Sequence, residues 1–187
     1  MSAEPSRPTT RRRVLLGLAA LPFCAAAAPA TDQAGERRLK LYNPHTDERF
    51  DDVYAVDGAY VADARQRLNW LLRDHHVDKA TEMDPGVFDL LWLMSRRYQV
   101  ARGRRVTINL HSGYRTPETN EKLRPEGAAR NSLHMQGKAV DLSVQGYGMV
   151  FLANHARAVA SGGLGLYWRS DFVHLDTGPR RVWYKRF

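Results

Sequence analysis

The sequence predicts an α+β domain in which an antiparallel sheet is flanked by helices. Three observations lead there. Helical apolar spacing recurs twice in the first half of the chain, around Leu68 and around Phe88. From Arg105 the texture changes to short strand signals, most of them neighbours along the chain. A single helical pattern, at residues 147–160, interrupts them. Helices first and neighbouring strands later is the order of an α+β domain rather than of alternating strand and helix.

Arg11, Arg12 and Arg13 precede an apolar run to Phe23 and an alanine-rich tract ending at Ala30. A charged region, a short apolar region and small residues at a cleavage site form an export signal, and arginines directly before the apolar run indicate the twin-arginine route. Residues 1–30 are therefore read as a twin-arginine signal peptide cleaved after Ala30, with the remainder exported to the periplasm. Residues 14–23 supply about half the roughly 20 apolar residues that span a bilayer, so no stable membrane anchor is expected. Cys24, the single cysteine, lies inside the signal. The exported part thus has neither disulfide support nor thiolate chemistry.

Residues 31–38 read as a mobile polar segment and 39–187 as one domain, long enough for a sizeable core. Residues 39–42 alternate as a strand, Asn43-Pro44-His45-Thr46-Asp47 supplies turn residues, and a strand returning near 49–55 completes a hairpin. Ala64, Leu68, Leu71 and Leu72 give residues 63–75 helical spacing. Asp84 caps and Pro85 opens a second helix, whose buried stripe is Phe88, Leu91, Trp92 and Met94. Strands follow at 106–110, 139–144, 164–168, 172–176 and 181–184. The helix at 147–160 offers Val150, Phe151, Ala158 and Val159 as its apolar face. No repeat or linker divides the chain, and a monomer is expected.

The chain carries +8 at pH 7; residues 1–30, with Arg7, Arg11, Arg12 and Arg13 against Glu4, account for +3, leaving +5 on the exported part. Charge alone is explained more simply by a solvated surface with an arginine bias; if it marks a partner, an exported domain meets polyanions outside the cell, above all the carboxylate-bearing peptidoglycan wall. A nucleic-acid partner is disfavoured by the export signal and by the lack of a motif combining stacking aromatics with basic residues.

Chemistry concentrates in two strings, SLHMQGKAVD at 132–141 and FVHLD at 172–176. Alternate strand residues share a face. Val140 and Leu142 can then enter the core while Ala139, Asp141 and Ser143 face a cleft; likewise Val173 and Leu175 point inward and Phe172, His174 and Asp176 outward. If the two strands are neighbours, His134, Asp141 and His174 converge. Two imidazoles and a carboxylate suit zinc, and three protein ligands leave one tetrahedral position open, as catalytic ions require. A third segment, 109–120, leaves a strand through Gly113 and presents Arg115. That arginine can stabilise an oxyanion, grip a substrate carboxylate or pair structurally with Glu118. Tyr114, Tyr167 and Trp168 lie near the site strands, where substrate contact and packing are both open. His45, His75, His76 and His155 have no partner motif and read as ordinary surface or core histidines.

Together with the signal, LNWLLRDH at 68–75, Ser112-Gly113-Tyr114-Arg115, the string at 132–141, Gly162-Gly163-Leu164-Gly165 and residues 172–179 through Trp183 follow a familiar order. The chain resembles the YcbK-type murein endopeptidases (murein endopeptidase K), zinc peptidases of the D-alanyl-D-alanine carboxypeptidase and hedgehog fold. The likeness covers nearly the whole chain. It implies that His134, Asp141 and His174 bind one zinc ion, and that Arg115 serves substrate or oxyanion, with Ser112, Tyr114 and Ser132 beside it in substrate binding. It further implies metal-assisted hydrolysis of amide bonds in peptidoglycan peptide cross-links.

Related carboxypeptidases place a glutamate three residues before the last histidine, where this chain has the shorter Asp171. Asp176 shares a strand face with His174 and is narrowly favoured as general base, although it can equally orient that ligand by accepting its second ring proton. His111 can line the cleft or donate to the oxyanion. Two alternatives share this fold: a D,D- or L,D-carboxypeptidase, and a zinc-containing module that binds wall peptides without cutting them.

Overall fold

A computed structural model of the chain describes residues 35–185. The signal segment 1–30, its cleavage point and residues 31–34 of the polar lead-in lie outside them.

Strands β1 (Glu36–Asn43) and β2 (Glu48–Val56) form the expected hairpin. Its first strand begins early: Glu36, Arg37 and Arg38 pair with Val56, Ala55 and Val53, so residues 36–38 belong to the sheet and not to a mobile lead-in. The short β3 (Ala59–Tyr60) extends it. Helix α1 (Ala62–Leu71) buries Ala64, Leu68 and Leu71 and stops before the expected limit. Asp74 supplies the reason. Its carboxylate accepts the His76 N–H at 3.1 Å and its own N–H donates to the Lys79 carbonyl at 2.9 Å, a local side-chain turn that competes with further helix. Helix α2 (Pro85–Arg102) starts where Asp84 accepts the Gly86 N–H and ends at Gly103, whose N–H bonds the Gln99 carbonyl.

Beyond it come β4 (Ile108–Ser112), α3 (Pro117–Lys122), β5 (Ala139–Val144), α4 (Met149–Val159), β6 (Gly163–Tyr167), β7 (Phe172–Asp176) and β8 (Arg181–Lys185). The strands form one eight-stranded sheet in the order β3-β2-β1-β4-β5-β7-β6-β8. It is mostly antiparallel, but β1 runs parallel to β4 and β6 parallel to β8. The β1–β4 connection carries α1 and α2, the long crossover that a parallel pair needs. Before entering β8 the chain passes close to Gly162 and Gly163. A Cβ there would lie 2.2 Å from the Asp176 carbonyl oxygen and 2.3 Å from Asp176 Oδ2, respectively. The backbone approach at these two positions has no room for a side chain.

Phe88, Leu91 and Met94 of α2 share one hydrophobic core with Leu152 and Ala153 of α4 and with Leu41, Ile108, Val140, Leu142, Val173 and Leu175 of the sheet. Each such large side chain stabilises the fold by about 1.5–3 kcal/mol when fully buried. The buried face of α4 differs from the expected one: Met149, Leu152, Ala153 and Ala156 are inside, while Val150 is 66% exposed. Gly148 stays extended, delaying the helix start, and the i, i+3, i+4, i+7 stripe then falls on those four residues. Val140, Leu142, Val173 and Leu175 point into this core, so Asp141 and His174 project from the opposite face of the sheet. Among the described residues no helix is long and apolar enough to cross a membrane.

Candidate metal centre

Antiparallel pairing of β5 with β7 sets Asp141 directly opposite His174. His134 arrives from a single 3-10 turn, Leu133–Gln136, immediately before β5. Ser132 caps that turn, its Oγ accepting the His134 N–H at 3.3 Å. Three donor atoms then meet. His134 Nε2 lies 3.1 Å from His174 Nδ1 and 3.3 Å from Asp141 Oδ1, and His174 Nδ1 lies 2.9 Å from Asp141 Oδ1. Among the described residues, no other set of three or more His, Cys, Asp or Glu side chains gathers its donor atoms in this way.

Each of the three side chains is held from behind. His134 Nδ1–H donates to the Gly113 carbonyl at 2.6 Å, which leaves the Nε2 lone pair facing the cluster. Gly113 is obligatory there: a Cβ would sit 2.3 Å from the Leu72 carbonyl oxygen, the acceptor of the Tyr114 N–H. Asp176 takes the Nε2 proton of His174 at 2.8 Å, so that ring presents Nδ1. Arg115 donates to Asp141 Oδ2 and, through Nε, to Ser112 Oγ at 2.7 Å. Oδ1 of Asp141 is thereby left for the two imidazoles.

The charges follow from these contacts. Burial alone would push the Asp141 carboxyl up, but His134 and His174 outweigh it and hold the group well below the usual carboxylate range. Burial lowers His134, keeping it neutral as a ligand must be. His174 moves the other way: burial lowers it, yet the hydrogen bonds to Asp141 and Asp176 prevail and raise it. Burial likewise opposes Asp176, and its bonds from His174, Gly163, Gly178 and Arg181 depress it.

The structure brings Arg115, Ser112, Ser132 and His111 to the cleft around the cluster. Ser132 and Ser112 are engaged in positioning His134 and Arg115. Arg115 pairs with Asp141, not with Glu118. Tyr114 packs against the hydrophobic core and does not line the cleft. The two candidate bases are not equivalent. Asp176 is 0% exposed and stands behind His174, its oxygens taken up by His174, Gly163 N–H, Gly178 N–H and Arg181. That is where a side chain would orient His174 by accepting its second ring proton, the other of the two roles open to Asp176. Asp171 is exposed in the β6–β7 turn, in left-handed backbone at φ 53°, and does not line the cleft. His111 does line it, with Nε2 2.8 Å from Ser143 Oγ.

Comparison with known proteins decides the family. A family model described as peptidoglycan L,D-endopeptidase MepK, of the peptidase M15 type, matches residues 31–183. The chain belongs to this family. It is 38% identical over 172 residues to the peptidoglycan L,D-endopeptidase MepK of Escherichia coli K12, covering 91% of each chain. It is 30% identical over 172 residues to the probable peptidoglycan L,D-endopeptidase MepK of Haemophilus influenzae, covering 91% of this chain and 90% of that one. No solved structure matches it significantly.

In this MepK-family chain the cluster lies in a cleft of about 760 Å³. Following the sheet order, the cleft runs from His45, beyond β1, past His111 on β4 and the cluster on β5 and β7, to Tyr167 on β6 and Trp183 on β8. Three lining residues had been read as ordinary histidines: His45, His75 and His76. They come from two separate turns. Periodicity does not mark them; the adjacency of 75 and 76 and the place of His75 at the end of the LNWLLRDH string are the signals the sequence offers.

Proposed function

We propose that this chain is a zinc-dependent endopeptidase that hydrolyses amide bonds in the peptide cross-links of peptidoglycan, acting outside the cytoplasm after export through the segment 1–30. The observation that carries the reading is the triangle of His134 Nε2, Asp141 Oδ1 and His174 Nδ1, with sides of 3.3, 2.9 and 3.1 Å. Ligands bound tetrahedrally at zinc's usual 2.0–2.1 Å are separated by about 3.3–3.4 Å. Two neutral-capable imidazoles with one carboxylate suit zinc, which these three residues would hold within the cleft they line. When bound there, the ion supplies Lewis-acid polarisation of an amide carbonyl and a water of lowered pKa.

This chain's residues supply the rest. Arg115 holds the Asp141 carboxylate through one arm of its guanidinium and lines the cleft with the remainder, within reach of an oxyanion or a substrate carboxylate. Proton transfer falls to His111. Burial keeps that imidazole below its ordinary value despite nearby Asp141, so it is a neutral acceptor at working pH. Ser143 fixes its ring, and Asp176 and Asp171 have the placements described above.

Cleavage within a cross-link needs substrate contacts on both sides of the scissile bond, and a carboxypeptidase needs a closed end. Lining residues on both flanks of the cluster, His45 on one and Trp183 and Lys185 on the other, favour the endopeptidase. The bond named for the relatives, an L,D amide, is the one proposed here. Digestion of purified sacculi with mass analysis of soluble products tests this: cross-linked dimers should fall and their separated stem peptides rise. Trimmed terminal residues with intact cross-links would point to a carboxypeptidase instead, and binding without any product to a non-catalytic module.

A further inference from the structure

Three imidazoles form a ladder on the β1 side of the cleft. His45 stacks on His75 with ring centroids 4.2 Å apart and planes 6° from parallel, and His75 on His76 at 4.2 Å and 29°. All three line the cleft that contains the metal centre. Parallel rings direct their nitrogens to separate points, and they are not among the described side chains whose donor atoms converge on a metal position. A second metal site is therefore not what they form.

The ladder is held by two buried polar side chains. Asn43, 4% exposed, accepts the His45 N–H at 3.0 Å and donates to the Leu71 carbonyl at 3.2 Å. Asp74, 1% exposed, accepts the His76 N–H at 3.1 Å and lies 3.3 Å from its Nδ1. The other oxygen of Asp74 accepts the Thr116 N–H at 2.9 Å and its hydroxyl at 3.0 Å. Thr116 follows Arg115, so one carboxylate fixes the ladder and the arginine loop together. Polar groups are costly to bury unless fully bonded, and here their bonds set the geometry of one cleft wall.

We infer that His45, His75 and His76 form a hydrogen-bonding subsite for the peptide on the β1 side of the scissile amide. This rests on the endopeptidase reading and specifies where the substrate lies. Burial, with His45 and His76 alongside, pushes the His75 imidazole down to about 4. The central ring therefore recognises by its N–H and lone pair, as suits main-chain amides and carboxylates. Neighbouring strands are 4.7–4.9 Å apart, so the two steps from β5 to β1 span about 10 Å across the sheet, which sets the order of the separation between the cluster and the turns beyond β1 that carry the ladder. An extended chain covers about 3.3–3.6 Å per residue. The subsite thus engages a residue roughly three positions from the cleaved bond.

The test compares wild type with His75→Ala and with His75→Phe, which keeps a flat ring and loses the nitrogens. The control is His155→Ala, on α4 away from the cleft. With a cross-linked peptide dimer, both His75 variants should raise KM about five- to tenfold at nearly constant kcat, with zinc content and Tm unchanged. Tenfold corresponds to about 1.4 kcal/mol, the loss of one or two hydrogen bonds. Shortening the dimer to fewer than about three residues beyond the bond, from one end only, should shrink that penalty below twofold. Equilibrium binding of the same dimer to chelator-treated proteins should show the same loss of affinity. That arm reads the subsite even if the wild type cleaves nothing, an outcome that removes the endopeptidase reading instead. Unchanged KM and affinity in His75→Ala, or a penalty that survives truncation from either end, would overturn the subsite.

Discussion

Asp176→Asn keeps the shape of a fully buried side chain and removes its charge. Asp176 receives His174 Nε2–H at 2.8 Å, the Gly163 and Gly178 N–H groups at 2.8 and 2.9 Å, and Arg181 Nη2 at 2.6 Å. An amide can accept the two backbone bonds through one oxygen, but its NH2 then faces His174 Nε2–H and Arg181, donor against donor. One buried donor left unpaired costs about 1–3 kcal/mol. The Arg181 share is small, since that side chain is 43% exposed. His174 loses the partner that turns Nδ1 toward the cluster, and loss of such outer partners typically weakens metal binding about 10–100-fold, or about 1.4–2.7 kcal/mol. Competition against a calibrated zinc chelator, followed by kcat at saturating zinc, separates the two roles. The orienting role predicts weakened zinc affinity and turnover that recovers substantially with excess zinc. Undiminished affinity with turnover abolished at every zinc concentration would refute it and return Asp176 to the role of base.

Gly113→Ala should destabilise the fold by about 1–3 kcal/mol and weaken zinc binding, because its Cβ would sit 2.3 Å from the Leu72 oxygen beside the carbonyl that holds His134; chemical denaturation and chelator competition measure both effects. Arg115→Lys keeps the charge but cannot span Ser112 Oγ and Asp141 Oδ2 together, so kcat/KM on cross-linked peptide should fall about tenfold or more. Asp74 is depressed: burial raises it, but bonds from Thr119, Thr116 and His76 outweigh that. A depressed carboxyl contributes its stability in full above its unfolded value of about 3.9 and loses it as pH falls through the folded value. The denaturant midpoint of Asp74→Asn should therefore trail wild type at neutral pH, with the gap closing in acid; a pH-independent gap would contradict this.

Two members of the His134–Asp141–His174 cluster were legible from strand alternation: Val140 and Leu142 must face the core, which sends Asp141 the other way, and the same holds for His174 between Val173 and Leu175, whereas His134 sits in the turn before β5. The start of α2 was equally local, written in Asp84-Pro85. What could not be read depended on contacts distant in sequence. The parallel pairs β1–β4 and β6–β8 join strands separated by crossovers or by another strand, and neither leaves a local pattern. The role of Asp176 turns on which nitrogen of His174 faces which carboxylate, a matter of ring orientation invisible in a one-dimensional string. The imidazole ladder draws on two turns fixed by Asn43 and Asp74, whose burial only the folded chain reveals. Asp74 also ended α1 earlier than its apolar spacing indicated.

The central claim is that His134, Asp141 and His174 hold one ion on which cross-link cleavage depends. Elemental analysis of the purified chain, paired with sacculus digestion of the same sample, tests it most directly. The account predicts about one zinc per chain in wild type, with both the metal and the release of separated stem peptides lost in His134→Ala and after chelation, and the wild-type activity regained on adding zinc back. Cleavage continuing at the wild-type rate in His134→Ala or in chelated protein would contradict it.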